Sequence, residues 1–148
     1  MLNKMNHIQI KEFKQDHIKE VLELWRGTPE VFLHDNGEDS EEGIAIFLKR
    51  NKGFSFIALN DDHKIIGAML CGHDGRRGFI HHLVVSTPYR NKGIGKQLIN
   101  RGFIKLHDSG ILKCLLFVLK DNGHAIAFYG KNGWNEENMI NTYSKIIR

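Results

Sequence analysis

The sequence predicts an α/β (α+β) fold, a mixed and largely antiparallel central sheet flanked by helices. Three observations lead there. Strand-like and helix-like apolar spacings alternate along the chain in the order βαα ββ βα βα β. Residues 54–59 and 64–71 flank the turn residues Asn60, Asp61 and Asp62, which is the pattern of an antiparallel hairpin. Residues 79–85 are apolar on both faces near their end, as a strand buried in the middle of a sheet would be. A chain of 148 residues with 41% hydrophobic and 26% charged residues fits a single domain over residues 1–148 with a sizeable core. Fifteen Gly against two Pro exclude a collagen-like or Pro-rich disordered chain.

Each element follows from local pattern. Residues 7–13 alternate as a strand, and Ile18, Val21, Leu22 and Trp25 recur at helical spacing behind Asp16 as an N-cap. After a loop over residues 27–37, Asp39 or Ser40 caps a helix with Ile44, Phe47 and Leu48 on one face, ended by Gly53. The hairpin comes next, then a polar loop over residues 72–77, the central strand, and Pro88. Over residues 93–107, Gly95, Leu98, Ile99, Gly102, Phe103 and Leu106 form an apolar stripe whose glycines let a helix lie close on a sheet; Gly110 stops it. A buried strand over 112–119, a short helix over 123–132 and a last strand over 139–147 complete the order.

Several function classes fall away. The longest apolar run, residues 111–119, is nine residues long and interrupted by Lys113, far short of the about 20 apolar residues of a membrane-spanning helix. Residues 1–13 lack the apolar stretch of a secretory signal, so a cytoplasmic protein is expected. Cys71 and Cys114, distant and without a CxxC spacing, read as reduced structural thiols. Cys71, His73, His81, His82 and Cys114 have no recognised metal-ligand spacing, so no metal is expected.

The net charge of +4 is mild, but it is unevenly distributed. Residues 75–107 hold Arg76, Arg77, Arg90, Lys92, Lys96, Arg101 and Lys105 and no Asp or Glu, a stretch suited to a polyanion. Residues 27–48 hold Glu30, Asp35, Glu38, Asp39, Glu41 and Glu42 and no Lys or Arg, a stretch suited to a cation. Solvated helix faces and loops that happen to be of one sign are the other reading, more so for the acidic run than for the basic one.

Position favours function for the basic run. Arg90, Asn91, Lys92, Gly93, Ile94, Gly95 and Lys96 stand where a buried strand has ended and a helix begins, so their backbone amides point outward unpaired. Gly93 and Gly95 let an anion approach those amides, and the helix dipole with Lys92 and Lys96 adds favourable potential. A P-loop is excluded because Gln97 follows Gly95 and Lys96, and a dinucleotide fingerprint because Leu98 stands where its third Gly belongs. A tight turn before a close-packed helix is the other reading of RxxGxG.

The wider context is a strand HHLVV, the RxxGxG turn at Arg90, an apolar helix, a strand, and NxxAxxFYxxxGW from Asn122 to Trp134. This combination resembles the GCN5-related N-acetyltransferase (GNAT) family, which transfers an acetyl group from acetyl coenzyme A to an amine. The resemblance is strongest over residues 79–134. It implies a GNAT-like acyl-CoA N-acyltransferase fold, and residues 71–78, CGHDGRRG, resemble a loop of a bacterial subgroup of small single-domain members.

Carried over residue by residue, the resemblance implies that the amides of Asn91, Lys92, Gly93, Ile94, Gly95 and Lys96, in the turn opened by Arg90, hold the coenzyme pyrophosphate. It implies that Leu83, Val84 and Val85 pair with the pantetheine arm and offer an amide to the thioester carbonyl, stabilising charge that develops in the transition state. Asn122 is implied to contact the pantetheine arm, and is equally read as a helix N-cap. Tyr129 stands where the family commonly has its general acid for the departing thiolate, with packing beside Phe128 as its other reading.

The base is left open. Phe79 occupies the place where members acting on histone-like lysines often carry Glu, which argues against that mechanism. His81 and His82 are expected on opposite faces of the strand, and His81, at a place where arylalkylamine members carry a histidine, is the candidate base beside a structural histidine or a water relay. Glu30, His34 and Asp35, with Glu38 and Asp39, fall where the family builds its acceptor pocket, which suggests a small cationic amine. Arg76 and Arg77 are open between coenzyme phosphates, an acidic acceptor group and solvent. The expected partner is a small-molecule amine, in a chain that is a monomer or a homodimer, with no nucleic acid and no membrane. Acetylation of a protein N-terminus or lysine, and a non-catalytic coenzyme-binding sensor, are the competing functions.

Overall fold

A computed structural model describes residues 7–34 and 36–147. The chain divides into two compact units, Met1–Phe117 and Val118–Arg148.

In the larger unit, β1 (Gln9–Glu12) leads into α1 (Ile18–Arg26) and α2 (Glu41–Arg50). Strands β2 (Phe56–Leu59), β3 (Ile65–His73) and β4 (Gly78–Val85) follow, then α3 (Ile94–Asp108) and β5 (Cys114–Leu116). The sheet order is β1-β2-β3-β4-β5, antiparallel up to β4 and parallel between β4 and β5. The mixed, largely antiparallel sheet expected from the sequence is therefore present. Crossing from β4 to a parallel β5 needs a long connection, and α3 supplies it.

Alternation along β3 sorts the two faces. Ala68 and Leu70 belong to one cluster with Val21, Leu22 and Trp25 of α1 and Ile44 and Leu48 of α2. Gly67, Met69 and Cys71 face α3, where a Cβ at Gly67 would meet Leu98 and one at Gly102 would lie 2.9 Å from Met69 Cε and 3.1 Å from Cys71 Sγ. Gly102 thus sets how closely α3 lies on the sheet. Buried side chains such as Val21, Leu22, Ile44 and Leu98 each contribute about 1.5–3 kcal/mol of hydrophobic stabilisation.

Some local expectations shift. Ser40 rather than Asp39 caps α2, its Oγ accepting the Gly43 N–H at 3.0 Å. Asp16 lies in a short 3-10 turn, and His17 precedes α1 without a side-chain cap. The buried stripe of α3 is Ile94, Leu98, Ile99, Gly102 and Leu106, whereas Phe103 is 39% exposed. Cys71 and Cys114 are free thiols, as expected; burial pushes each up to about 12.

The smaller unit contains α4 (Gly123–Lys131). The last strand expected over residues 139–147 is not formed there. Met139, Tyr143 and Ile147 are exposed, and apolar spacing without a ladder partner does not make a strand. Among the described residues no helix is long and apolar enough to cross a membrane.

Candidate functional site

β4 is interrupted by a bulge. Ala68 pairs with Val84 and Leu70 with His81, so Met69 alone opposes both His82 and Leu83. His82 takes the extra position with φ of +51°, in the left-handed region. Histidine tolerates that region better than most side chains, at a cost in backbone strain. The bulge resets the alternation of the strand.

That reset corrects the expectation that His81 and His82 face opposite ways. The His81 ring stands edge-on to Phe47 of α2 at 5.7 Å between centroids and lies parallel to Phe79 at 6.2 Å. The His82 ring stands edge-on to Trp25 of α1 at 5.0 Å. Both imidazoles therefore lie on the side of α1 and α2. Burial among apolar groups, followed by the neighbouring His82, holds His81 below the usual imidazole range.

His82 has a partner that His81 lacks among the described contacts. Its Nε2 lies 2.8 Å from Asp39 Oδ1, with 20% of the imidazole and 6% of the carboxylate side chain exposed. Asp39 Oδ2 accepts the backbone N–H of His34 at 2.8 Å. Both carboxylate oxygens are thus engaged, and Asp39 is not open to an incoming cation. Trp25, packed on the same imidazole, is fully buried, and its Nε1 has no hydrogen-bond partner. An unsatisfied buried donor is uncommon and marks this corner as unusual.

Beyond the bulge, β4 becomes half-open. It pairs with β5 only through Gly78, Phe79 and Ile80, so residues 81–85 have no strand on that side within this unit. Leu83 and Val85 are half-buried there, while Val84 is packed into the core. The Val85 carbonyl accepts a hydrogen bond from Arg90 Nε at 2.9 Å, so Arg90 closes the turn on the strand end.

The turn itself collects amides. Asn91 and Gly93 adopt φ of +62° and +80°, and such turns make N–H groups converge into an anion-binding concavity. The amides of Ile94, Gly95 and Lys96 precede the first bond of α3, from Gln97 N–H to the Gly93 carbonyl at 3.1 Å. Around Gly93 there is open space where a Cβ would be, and Lys92 Nζ lies 5.7 Å from the Tyr89 ring. Converging amides, a missing side chain and two lysines fit a diphosphate group.

In the loop before α2, Glu30 and His34 are exposed, and His34 Nε2 lies 3.9 Å from Glu38 Oε1. Asp35 lies outside the described residues. Asp74 Oδ1 accepts the backbone N–H groups of Arg76 and Arg77, each at 2.8 Å, and these bonds hold the Asp74 carboxyl below its ordinary range. Among the described residues no three His, Cys, Asp or Glu gather as metal ligands.

The smaller unit carries the other two predicted residues. Asn122 Oδ1 accepts the Ala125 N–H at 3.1 Å, so the capping role is realised. Tyr129 stands edge-on to Phe128 at 5.2 Å and to Trp134 at 5.5 Å, and its carbonyl accepts the Trp134 N–H.

Sequence reasoning passed over His82 and its link to Asp39. The doublet of histidines was the signal, but a strict period of two assigns one of them to the wrong face.

The sequence model of the Acetyltransferase (GNAT) family matches residues 18–134. Solved structures share the fold. A PaiA N-acetyltransferase from Thermoplasma acidophilum, in complex with coenzyme A, superposes with a TM-score of 0.74 at 21% identity, covering 86% of this chain and 89% of that one. An acetyltransferase of the GNAT family from Staphylococcus aureus Mu50 gives 0.77 at 19% identity, covering 96% and 95%. An aminoglycoside antibiotic 6'-N-acetyltransferase from Acinetobacter baumannii gives 0.75 at 14% identity, covering 96% and 100%.

Proposed function

The chain belongs to the acetyltransferase (GNAT) family, and from that premise we propose that it transfers the acetyl group of acetyl coenzyme A to a small cationic primary amine, directly, in a ternary complex. The observation that carries this reading is the run from β4 into its turn. An edge of β4 that, among the described residues, has no strand beside it over residues 81–85 leads straight to the amides of residues 91–96. One linear molecule with an amide-bearing arm and a diphosphate matches both parts, and the Thermoplasma relative was solved with coenzyme A.

When bound, acetyl coenzyme A supplies an acyl carbon activated as a thioester. Residues Leu83, Val84 and Val85 hold the pantetheine arm as a further strand would, and an amide of this edge donates to the carbonyl oxygen as it gains charge. Asn91, Lys92, Gly93, Ile94, Gly95 and Lys96 bind the pyrophosphate, with Arg90 fixing the turn. Asn122 contacts the pantetheine arm besides capping α4. Tyr129 hydrogen-bonds the departing thiolate and gives it a proton as the carbon–sulfur bond breaks.

An amine of pKa around 10 is protonated at neutral pH and must lose a proton before attack. A histidine of β4 supplies the acceptor for that proton. Glu30 and His34 line the acceptor side, and the exposed carboxylates Glu30 and Glu38 of that loop favour a cation. The similarity of the fold to an aminoglycoside acetyltransferase accords with an acceptor carrying several amines.

A competition assay tests this reading. A small polyamine and peptides with free N-termini or lysines are offered together with acetyl coenzyme A, and the products are separated by mass. Preferential acetylation of the polyamine supports it. Preferential acetylation of peptide moves the function to protein modification, and coenzyme binding with no product leaves a sensor.

A further inference from the structure

We infer that His82, carried at the bulge of β4 and oriented by Asp39, is the group that takes the proton from the attacking amine. This rests on the transferase reading above.

Three independent observations meet at His82. Its backbone is held in the left-handed region at φ of +51°, at the place where two β4 residues face one residue of β3. Strain of this kind persists where the surroundings over-determine it, and it concentrates at functional sites. Its Nε2 is 2.8 Å from the nearly buried Asp39, whose other oxygen is fixed by the His34 N–H at 2.8 Å. Its ring is braced by Trp25, whose own N–H is unsatisfied. A plain β-strand would supply none of these.

The chemistry follows from the pairing. A carboxylate accepts, so Nε2 carries a proton, and in the neutral imidazole Nδ1 holds the lone pair. Among the described residues nothing bonds Nδ1, and a fifth of the imidazole is exposed. Nδ1 accepts one proton from the ammonium form of the substrate, and the carboxylate stabilises the imidazolium that results. The freed amine nitrogen then attacks the thioester carbonyl carbon. As the carbon–nitrogen bond forms, the carbon–sulfur bond breaks and the thiolate leaves with its electron pair. The nitrogen's second proton balances the one that the thiolate takes up, so the amide and free thiol result, and the proton held by His82 is released to solvent. His82 is the catalytic residue and Asp39 a positioning residue.

His81 is the contrasting case. It is half-buried, its ring set against Phe79 and Phe47, and has no carboxylate bonded to it among the described contacts. The titratable groups set around His82 are Asp39, the adjacent His81, and the paired Glu38 and His34 of the same loop. From α1 it meets the uncharged Trp25, and across the bulge in β3 the uncharged Met69.

The test uses the full chain with acetyl coenzyme A and its best amine. Asn tolerates the left-handed region, so His82→Asn keeps the bulge and removes the imidazole. It is expected to lower kcat about 10²–10⁴-fold with little change in KM for the coenzyme, while His81→Asn has a much smaller effect. Asp39→Asn is expected to lower kcat less than His82→Asn does, with KM for the coenzyme unchanged, because the imidazole loses the carboxylate that orients it. In the free protein, nitrogen NMR should find the neutral form of His82 protonated at Nε2 and not at Nδ1. Unchanged turnover in His82→Asn, a greater loss in His81→Asn, unchanged kcat in Asp39→Asn, or an Nδ1–H tautomer would each overturn the proposal. A wild-type chain that acetylates no amine overturns the functional reading itself, which the tautomer measurement tells apart.

Discussion

The imidazole of His81 lies parallel to the ring of Phe79, with 2° between their planes and 6.2 Å between their centroids. Together with Phe47 it makes an apolar seat for a titratable group. Burial there holds His81 below its ordinary range. The unfolded chain, whose imidazole titrates near about 6.5, therefore binds more protons than the folded one as the pH falls. Stability must drop as pH decreases from about 6.5 toward the folded value. In His81→Phe that component disappears. Urea unfolding between about pH 7.5 and 5.5 should show a flatter fall in stability for the variant than for the wild type. Parallel curves would mean that His81 is not desolvated in the folded chain.

The packing of α3 gives a second prediction. A Cβ at Gly78 would come within 2.6 Å of Leu106 Cδ1, and Leu106 is buried in the layer between α3 and the sheet. Gly78→Ala should destabilise the chain by about 1–3 kcal/mol through overpacking, read as a lower urea midpoint at unchanged slope. No loss would show that α3 is free to move outward.

The anion-binding turn yields a third. Gly95→Glu places a bulky negative charge at the first turn of α3, which a helix N-terminus tolerates but a diphosphate does not. Coenzyme A binding should be abolished in calorimetry while circular dichroism and thermal unfolding stay near wild type. Retained affinity would remove the turn from the coenzyme site.

Tyr129→Phe keeps the ring that meets Phe128 and Trp134 and removes the hydroxyl. Coenzyme affinity should persist and kcat should fall by about 10²-fold or more, with thiolate departure losing its proton donor. An unaltered kcat would assign Tyr129 to packing.

The two thiols offer a check on the core. With Cys71 and Cys114 each pushed up to about 12, neither presents thiolate near neutrality. Alkylation at pH 8 should run on the order of 10³-fold slower in the native chain than in urea. Rapid native labelling of Cys71 would show that the α3 face of the sheet opens readily.

Much of the fold was legible because its signals are local. The stripe of Ile18, Val21, Leu22 and Trp25 became the buried face of α1. The polar turn at Asn60, Asp61 and Asp62 separates two paired strands, and the glycine turn opens α3. Failures arose where pairing decides. Residues 139–147 alternate like a strand but have no ladder, and an alternating pattern cannot create one. A bulge depends on how β4 registers against β3, so the sequence alone could not show that His81 and His82 share a side. The link from His82 to Asp39 spans 43 residues and was invisible for the same reason, since Asp39 read as part of a cationic acceptor's surroundings.

Thiol release from acetyl coenzyme A, followed with polyamines, arylalkylamines, amino acids, aminoglycosides and lysine or N-terminal peptides, tests the central claim most directly. The account predicts saturable release with one class of small cationic amine, together with coenzyme binding that Gly95→Glu abolishes. Bound coenzyme with no release across every amine and peptide would contradict it and leave a coenzyme-binding protein without transferase activity.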